Sequence, residues 1–169
     1  LVRDTHVVYQ ELVQSLVVEN ERAKIFNEVT AELFPGYNSI TGLQLDLNDS
    51  QSNDLRRRST TKGPHKADIV FESKGLLIKE KFSRGEQKLL SIIWSISQNI
   101  MLGRVYNLRP ILLLDDLSSE LDSEMLECFL PALEYIENRF IFSNIVDLFG
   151  SKIDNTKQQL KKFHVEQIK

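Results

Sequence analysis

The sequence carries a single cysteine, Cys128, in 169 residues, so no internal disulfide can form and the disulfide-stapled secreted scaffolds are excluded. Cys128 lies in an apolar, helical-looking stretch and reads as a buried structural thiol of a cytoplasmic protein. No apolar run approaches the ~18 residues that would suggest a membrane span, and there is neither an internal repeat nor a low-complexity segment. Strong charge of one sign is also missing: 21 basic against 24 acidic residues give a net charge of −3, which carries no global signal for nucleic acid. The chain opens Leu1-Val2-Arg3-Asp4, without an initiator Met or a signal peptide. It reads as a cut piece of a longer protein, long enough for one core.

Apolar residues at mixed spacings of three and four (Val8, Leu12, Leu16, Ile25, Val29, Leu33) predict one long amphipathic helix over residues 7–33, ended by Pro35-Gly36. Leu43, Leu45 and Leu47 alternate with polar residues, which predicts a half-buried strand over residues 40–47. Residues 51–66 are polar and basic, and read as a loop or short helix. Residues 69–71 and 76–78 flank Lys74-Gly75 and predict a β-hairpin. From Ser83 to Leu102 a broad apolar face (Leu89, Leu90, Ile93, Trp94, Ile96, Ile100) predicts a buried helix with Gly103 as its stop. Residues 111–114 are wholly apolar, as in a strand buried on both faces of a parallel sheet. A helix over 123–137, a strand over 140–142 and a short helix at 146–149 complete an α/β pattern.

Three motifs carry possible chemistry. The apolar strand ends in Asp115-Asp116, and ligands in open α/β sheets bind off the carboxyl ends of strands. In nucleotide hydrolases an acid pair here serves Mg²⁺ and the attacking water, although a plain surface turn has the same pattern. Ser83-Arg84-Gly85-Glu86-Gln87 precedes the buried helix. Its hydroxyl, glycine and free first-turn amides make an anion site, or Ser83 and Glu86 form an ordinary capping box. Asp122, in Ser119-Glu120-Leu121-Asp122, follows the acid pair at short range, or caps the next helix. Two basic clusters, Arg56, Arg57, Arg58, Lys62 and Lys66, and Lys157, Lys161 and Lys162, suit phosphate contacts or a solvated face. His65 stands beside Pro64 and reads as a packed hinge residue or a member of the basic cluster.

In order and spacing, Ser-x-Gly-x-Gln at a helix start, an apolar strand ending in acids, and Ser-x-Leu-Asp resemble the signature, Walker B and D-loop series of the ATP-binding-cassette superfamily. Within it, Ser83-Arg84-Gly85-Glu86-Gln87-Lys88-Leu89-Leu90, Thr61-Lys62-Gly63-Pro64-His65-Lys66-Ala67-Asp68 and the residues from Leu114 to Asp122 resemble the RecF family. Two positions depart from the family pattern, Phe82 in place of Leu and Glu86 in place of Gln. Ser143-Asn144 stand where transporter relatives place a switch His. A phosphate-cradling Gly-x-x-x-x-Gly-Lys-Ser/Thr loop is absent from the sequence: Gly75 has Glu80 where the second Gly would be.

The resemblance implies an α/β fold, the C-terminal half of a RecF/SMC-like ATPase head, with a mainly parallel sheet flanked by helices. Residues 1–36 would be the end of a helical arm, 37–82 a β-rich return segment with a basic loop, and 83–169 the C-terminal part of the ATPase lobe. It implies ATP and Mg²⁺ as cofactors in a homodimer, with Ser83, Arg84, Gly85, Glu86, Gln87 and Asp122 at the nucleotide, Asp115 on the metal and Asp116 on water. It further implies a slow DNA-dependent ATPase of recombinational repair, replication and the SOS response, inactive as this piece alone for want of a P-loop. The implied partners are single-stranded and gapped DNA, contacted by Arg56, Arg57, Arg58, Lys62 and Lys66, and RecR, RecO and, indirectly, RecA. Another SMC-like or overcoming-lysogenisation-type ATPase head, or a non-catalytic dimerisation module, remains the alternative.

Overall fold

The computed structural model describes residues 1–115, 121–135 and 140–142. The chain begins with α1 (Val2–Glu19), whose Tyr9, Leu12, Val13 and Leu16 recur at helical spacing and are all buried. Asn20 stops the helix. Its side chain accepts a hydrogen bond from the Arg22 amide (3.0 Å), a local bond that competes with continued helix, and a 3-10 helix (Glu21–Phe26) follows. The single long helix over residues 7–33 is therefore corrected: residues after Asn27 form strand β1 (Val29–Phe34). The β-branched Val29 and Thr30 suit an extended backbone, and six antiparallel register pairs with β2, from Val29 with Ser73 to Phe34 with Asp68, outweigh the helical spacing.

The strand expected over residues 40–47 is likewise a helix, α2 (Leu43–Arg57). Leu43 and Leu47 are also four apart, so the same letters fit both periods, and local bonds decide. Asn38 Oδ1 accepts from the Ile40 amide (2.9 Å), and Asp46, in the first turn of α2, accepts from the Asn38 amide (2.6 Å), where a carboxylate is favoured by the helix dipole. No residue of α2 is buried. The excursion between β1 and β2 is closed at its base, where the Gly63 amide donates to Gly36 O (2.9 Å).

Strands β2 (Asp68–Ser73) and β3 (Leu76–Leu77) form the hairpin expected at Lys74-Gly75. Both turn residues have positive φ, 55° and 75°, the conformation that two-residue hairpins require. The order of this sheet is β1-β2-β3, all antiparallel. A single turn, α3 (Ile78–Lys81), leads into α4 (Arg84–Tyr106). Gly103 does not stop α4, which runs to Asn107, whose left-handed backbone (φ 52°) ends it; asparagine tolerates that conformation better than most side chains.

Strand β4 (Leu112–Leu114) pairs in parallel with β5 (Phe140–Phe142), as the apolar run predicts. Burial on both faces is not seen: Leu114 is buried while Leu113 is 69% exposed. Between these strands lie α5 (Ser123–Phe129) and a 3-10 helix (Leu130–Tyr135), so the helix expected over 123–137 is shorter and tightens at Pro131. Pro131 has no amide to donate to a helical ladder. The short helix expected at 146–149, and Lys157, Lys161 and Lys162, lie outside the described residues.

The core is the seam between α1 and α4. Tyr9 and Trp94 lie 5.9 Å apart, Phe71 of β2 meets Trp94 edge-on at 5.1 Å, and Phe26 meets Phe82 at 5.7 Å. Buried Leu126, Cys128 and Phe129 of α5 join the same cluster. Among the described residues no helix is long and apolar enough to cross a membrane.

Gly36 has φ +87°, and a Cβ there would stand 2.0 Å from the Gly63 carbonyl oxygen. Gly36→Ala is expected to cost about 1–3 kcal/mol through backbone strain alone, with further loss from the clash. Thermal melting, together with amide exchange over residues 37–62, checks this; an unchanged melt and unchanged exchange would contradict it.

Candidate nucleotide and nucleic-acid site

The candidate side chains fall into two groups, on different parts of the fold. The first is the start of α4. Ser83 Oγ accepts from the Glu86 amide (3.3 Å), and Glu86 Oε2 accepts from the Ser83 amide (2.6 Å), a complete capping box. The amides of Arg84 and Gly85 lie in the first turn, outside the helix's own ladder. A Cβ on Gly85 would meet nothing within 4 Å, so the backbone is open to a close-approaching group. Ser83 and Arg84 are exposed. The box leaves the Ser83 hydroxyl proton available to donate, because Oγ serves only as acceptor within it.

The arrangement fits a phosphate: one hydroxyl donor, two first-turn amides and an open glycine face, at the positive end of a 23-residue helix. Gln87 is turned the other way, its Nε2 donating to Phe82 O (2.8 Å). Phe82, one of the two departures from the family pattern, is 7% exposed and holds the signature turn to the core through Phe26. Lys81 Nζ donates to the buried Ser73 Oγ (2.7 Å), which fixes a cation two positions before Ser83. Sequence pattern gave no sign of that contact, since the two residues belong to separate motifs.

Asp115 is exposed at the carboxyl end of β4, where a ligand-facing carboxylate is expected. The side chain of Asn99 donates to Pro110 O (3.4 Å) and so fixes the approach to β4 against the C-terminal half of α4. Asp116 lies outside the described residues, as do Ser143 and Asn144. Asp122 is exposed and caps α5, accepting from the Met125 amide through Oδ1 (2.8 Å). Ser83 to Gln87 thus share one turn, whereas Asp115 and Asp122 occupy the ends of two other elements. Among the described residues no three His, Cys, Asp or Glu side chains converge as a metal site.

The second group sits on the α2 excursion. Arg56 and Arg57 form the last turn of α2 and Arg58 its left-handed cap (φ 54°). All three are exposed, as is Lys66, while Lys62 is half-buried. His65 is exposed rather than packed in the core. Its Nε2 lies 3.0 Å from Thr60 Oγ1, and its ring covers Gly63, where a Cβ would come within 3.0 Å of Nδ1. Asp54 anchors the loop that follows α2, accepting from Thr61 Oγ1 (2.7 Å), Ser50 Oγ (2.9 Å) and the Thr61 amide (3.0 Å).

Cys128 is buried, and burial pushes its thiol up from the usual range while the Arg22 charge opposes the shift. It behaves as the structural thiol expected from its neighbours.

The family described as AAA domain, putative AbiEii toxin, Type IV TA system matches residues 7–143 of the chain. The DNA replication and repair protein RecF of Hahella chejuensis is 32% identical over 92% of this chain and 43% of its own length. That of Acinetobacter baumannii is 39% identical over 56% of this chain and 26% of its own. A solved structure of the recombination mediator protein RecF-ATPrS in the RecFOR pathway superposes with a TM-score of 0.50 at 22% identity, over 83% of this chain and 39% of that one. The chain belongs to the family described as AAA domain, putative AbiEii toxin, Type IV TA system, and it is similar to part of the RecF chain. It spans less than half the length of these relatives, and its fold is that of an α/β ATPase-head fragment.

The Thr61 hydroxyl, ahead of Ser50, the Thr61 amide and Arg57, holds the Asp54 carboxyl below its ordinary value of 3.8, against a smaller desolvation effect. A depressed folded pKa gives stability that is present above the unfolded value and lost as the pH falls through the folded one. The Thr61 amide shift is therefore expected to be constant at neutral pH and to move as the pH drops below 3.8. In Asp54→Asn the shift should be pH-independent; titration by NMR decides, and an unchanged wild-type shift down to the acid limit would refute the assignment.

Proposed function

We propose that the chain is the C-terminal part of a RecF-type repair ATPase that dimerises around ATP and holds gapped or single-stranded DNA. The observation that carries this reading is the 32% identity to a RecF protein across 92% of the chain, a span that takes in both functional groups. The capped α4 start supports it. Ser83 and the amides of Arg84 and Gly85 contact the γ-phosphate bound by a second subunit, with the positive helix end offsetting its charge. Glu86 keeps Ser83 in the cap conformation, and Arg84 adds a cation at the rim.

Bound ATP and Mg²⁺ would supply the phosphoryl group and the charge that activates it. Asp115, at the end of β4, would hold the metal, and Asp116 would orient the attacking water. Asp122, at the start of α5, transmits the state of one site to the other across the subunit contact. Arg56, Arg57, Arg58, Lys62 and Lys66 contact DNA phosphates without reading sequence, which suits their place on an excursion that buries no side chain of its helix. The partners on this reading are RecR and RecO, and through them RecA.

The deciding experiment measures ATP-dependent dimerisation and binding of gapped duplex by the parent protein. Ser83→Arg places a bulky cation where the γ-phosphate approaches, and is expected to abolish both ATP effects while leaving the melting temperature near that of the wild type. ATP-stimulated binding that survives the substitution would reduce the turn to a helix cap. Separately, Arg56→Ala with Arg57→Ala is expected to lower the slope of log K against log salt by roughly 2, in line with two lost phosphate contacts. An unchanged slope would move the DNA interface elsewhere.

A further inference from the structure

Beyond the site itself, one contact joins the segment after α1 to the helix that Asp122 begins. Arg22, in the first turn of the 3-10 helix, pairs with Glu124 in the first turn of α5. The backbone of Arg22 is fixed by the Asn20 side chain (3.0 Å), and its neighbours Ala23 and Phe26 are buried in the core.

The rest of α5 is held differently. Leu126, Cys128 and Phe129 bury its second half, but its first turn is exposed at Asp122, Ser123 and Glu124. The start of α5 is seated on the core as well, since Leu121 is buried in the same cluster and Met125 packs against it. The ion pair adds a restraint on the exposed side of that first turn, where the Asp122 carboxylate is oriented by the Met125 amide.

We propose that Arg22 is a positioning residue for Asp122: through Glu124 it ties the segment following α1 to the first turn of α5, so movement of that segment is transmitted to the subunit contact. This inference rests on the reading of Asp122 as a dimer-interface residue. It gives the α1 end of the chain a route to the ATP-dependent contact that does not pass through the nucleotide.

The test is a charge-reversal cycle in the parent protein: Arg22→Glu, Glu124→Arg and the two together. Both side chains are more than half exposed, at 55% and 59%, so neither reversal empties the core. Each single variant is expected to weaken ATP-driven dimerisation and lower kcat by about threefold, with the KM for ATP and the melting temperature unchanged. The double variant, which restores an ion pair of opposite polarity, should recover wild-type dimerisation and kcat. Single variants equal to wild type, a double variant no better than the weaker single, or losses matched by a lower melting temperature would each overturn the proposal. A wild-type protein that ignores ATP would overturn the RecF-type reading and this inference with it. An ATP-responsive wild type with inert reversals overturns this inference alone.

Discussion

The apolar seam between α1 and α4 is the constraint on which everything else in the structure depends. Tyr9, Leu12, Val13 and Leu16 on one helix, and Leu89, Ile93, Trp94 and Ile96 on the other, are buried in one cluster. Burial of such side chains is worth about 1.5–3 kcal/mol each relative to exposure, far more than any surface ion pair here. Tyr9 adds a polar anchor: its hydroxyl donates to Phe26 O (2.9 Å), and burial pushes its pKa upward. That bond draws the 3-10 helix against the seam. Phe26 then meets Phe82, and the residue after Phe82 is the Ser83 cap.

The Ser83 turn is consequently held from behind by the core and left open in front. Phe82 and the Gln87 side chain face inward or back along the chain, whereas Ser83, Arg84 and Gly85 are left on the outer side. A rigid support with free first-turn amides is what an anion site requires, since donors that are already oriented lose little freedom on binding. The α2 excursion is the opposite case. It is closed at its base by Gly36 and Gly63 and within by Asp54 and Thr61, without burying a side chain of α2. Its cations are thus carried on a local scaffold that can differ in position without disturbing the core.

Exposure on β4 has a related meaning. Leu113 and Ile111 are 69% and 56% exposed although the strand is apolar throughout. Among the described residues this strand has one buried and one open face in a two-stranded parallel pair, without the covering that all-apolar parallel strands ordinarily have. The chain accounts for less than half the length of the RecF relatives it matches.

The sequence by itself determined the elements whose signals are local and unambiguous: the hairpin at Lys74-Gly75, the capped helix from Ser83, the apolar strand before Asp115, and the buried thiol of Cys128. Each follows from side chains within a few positions of one another, such as the Ser83 and Glu86 pair. Leu43 and Leu47 fit a strand and a helix equally well, and the local bonds of Asn38 and Asp46, which no apolar period registers, select the helix. Tertiary structure decided the rest. Val29 to Leu33 continue a helical spacing, yet pairing with residues 69–73 makes them a strand. The Arg22 and Glu124 contact joins residues distant along the chain. Its geometry exists only once the α1 and α4 seam has brought the chain together, and no periodicity or motif encodes it.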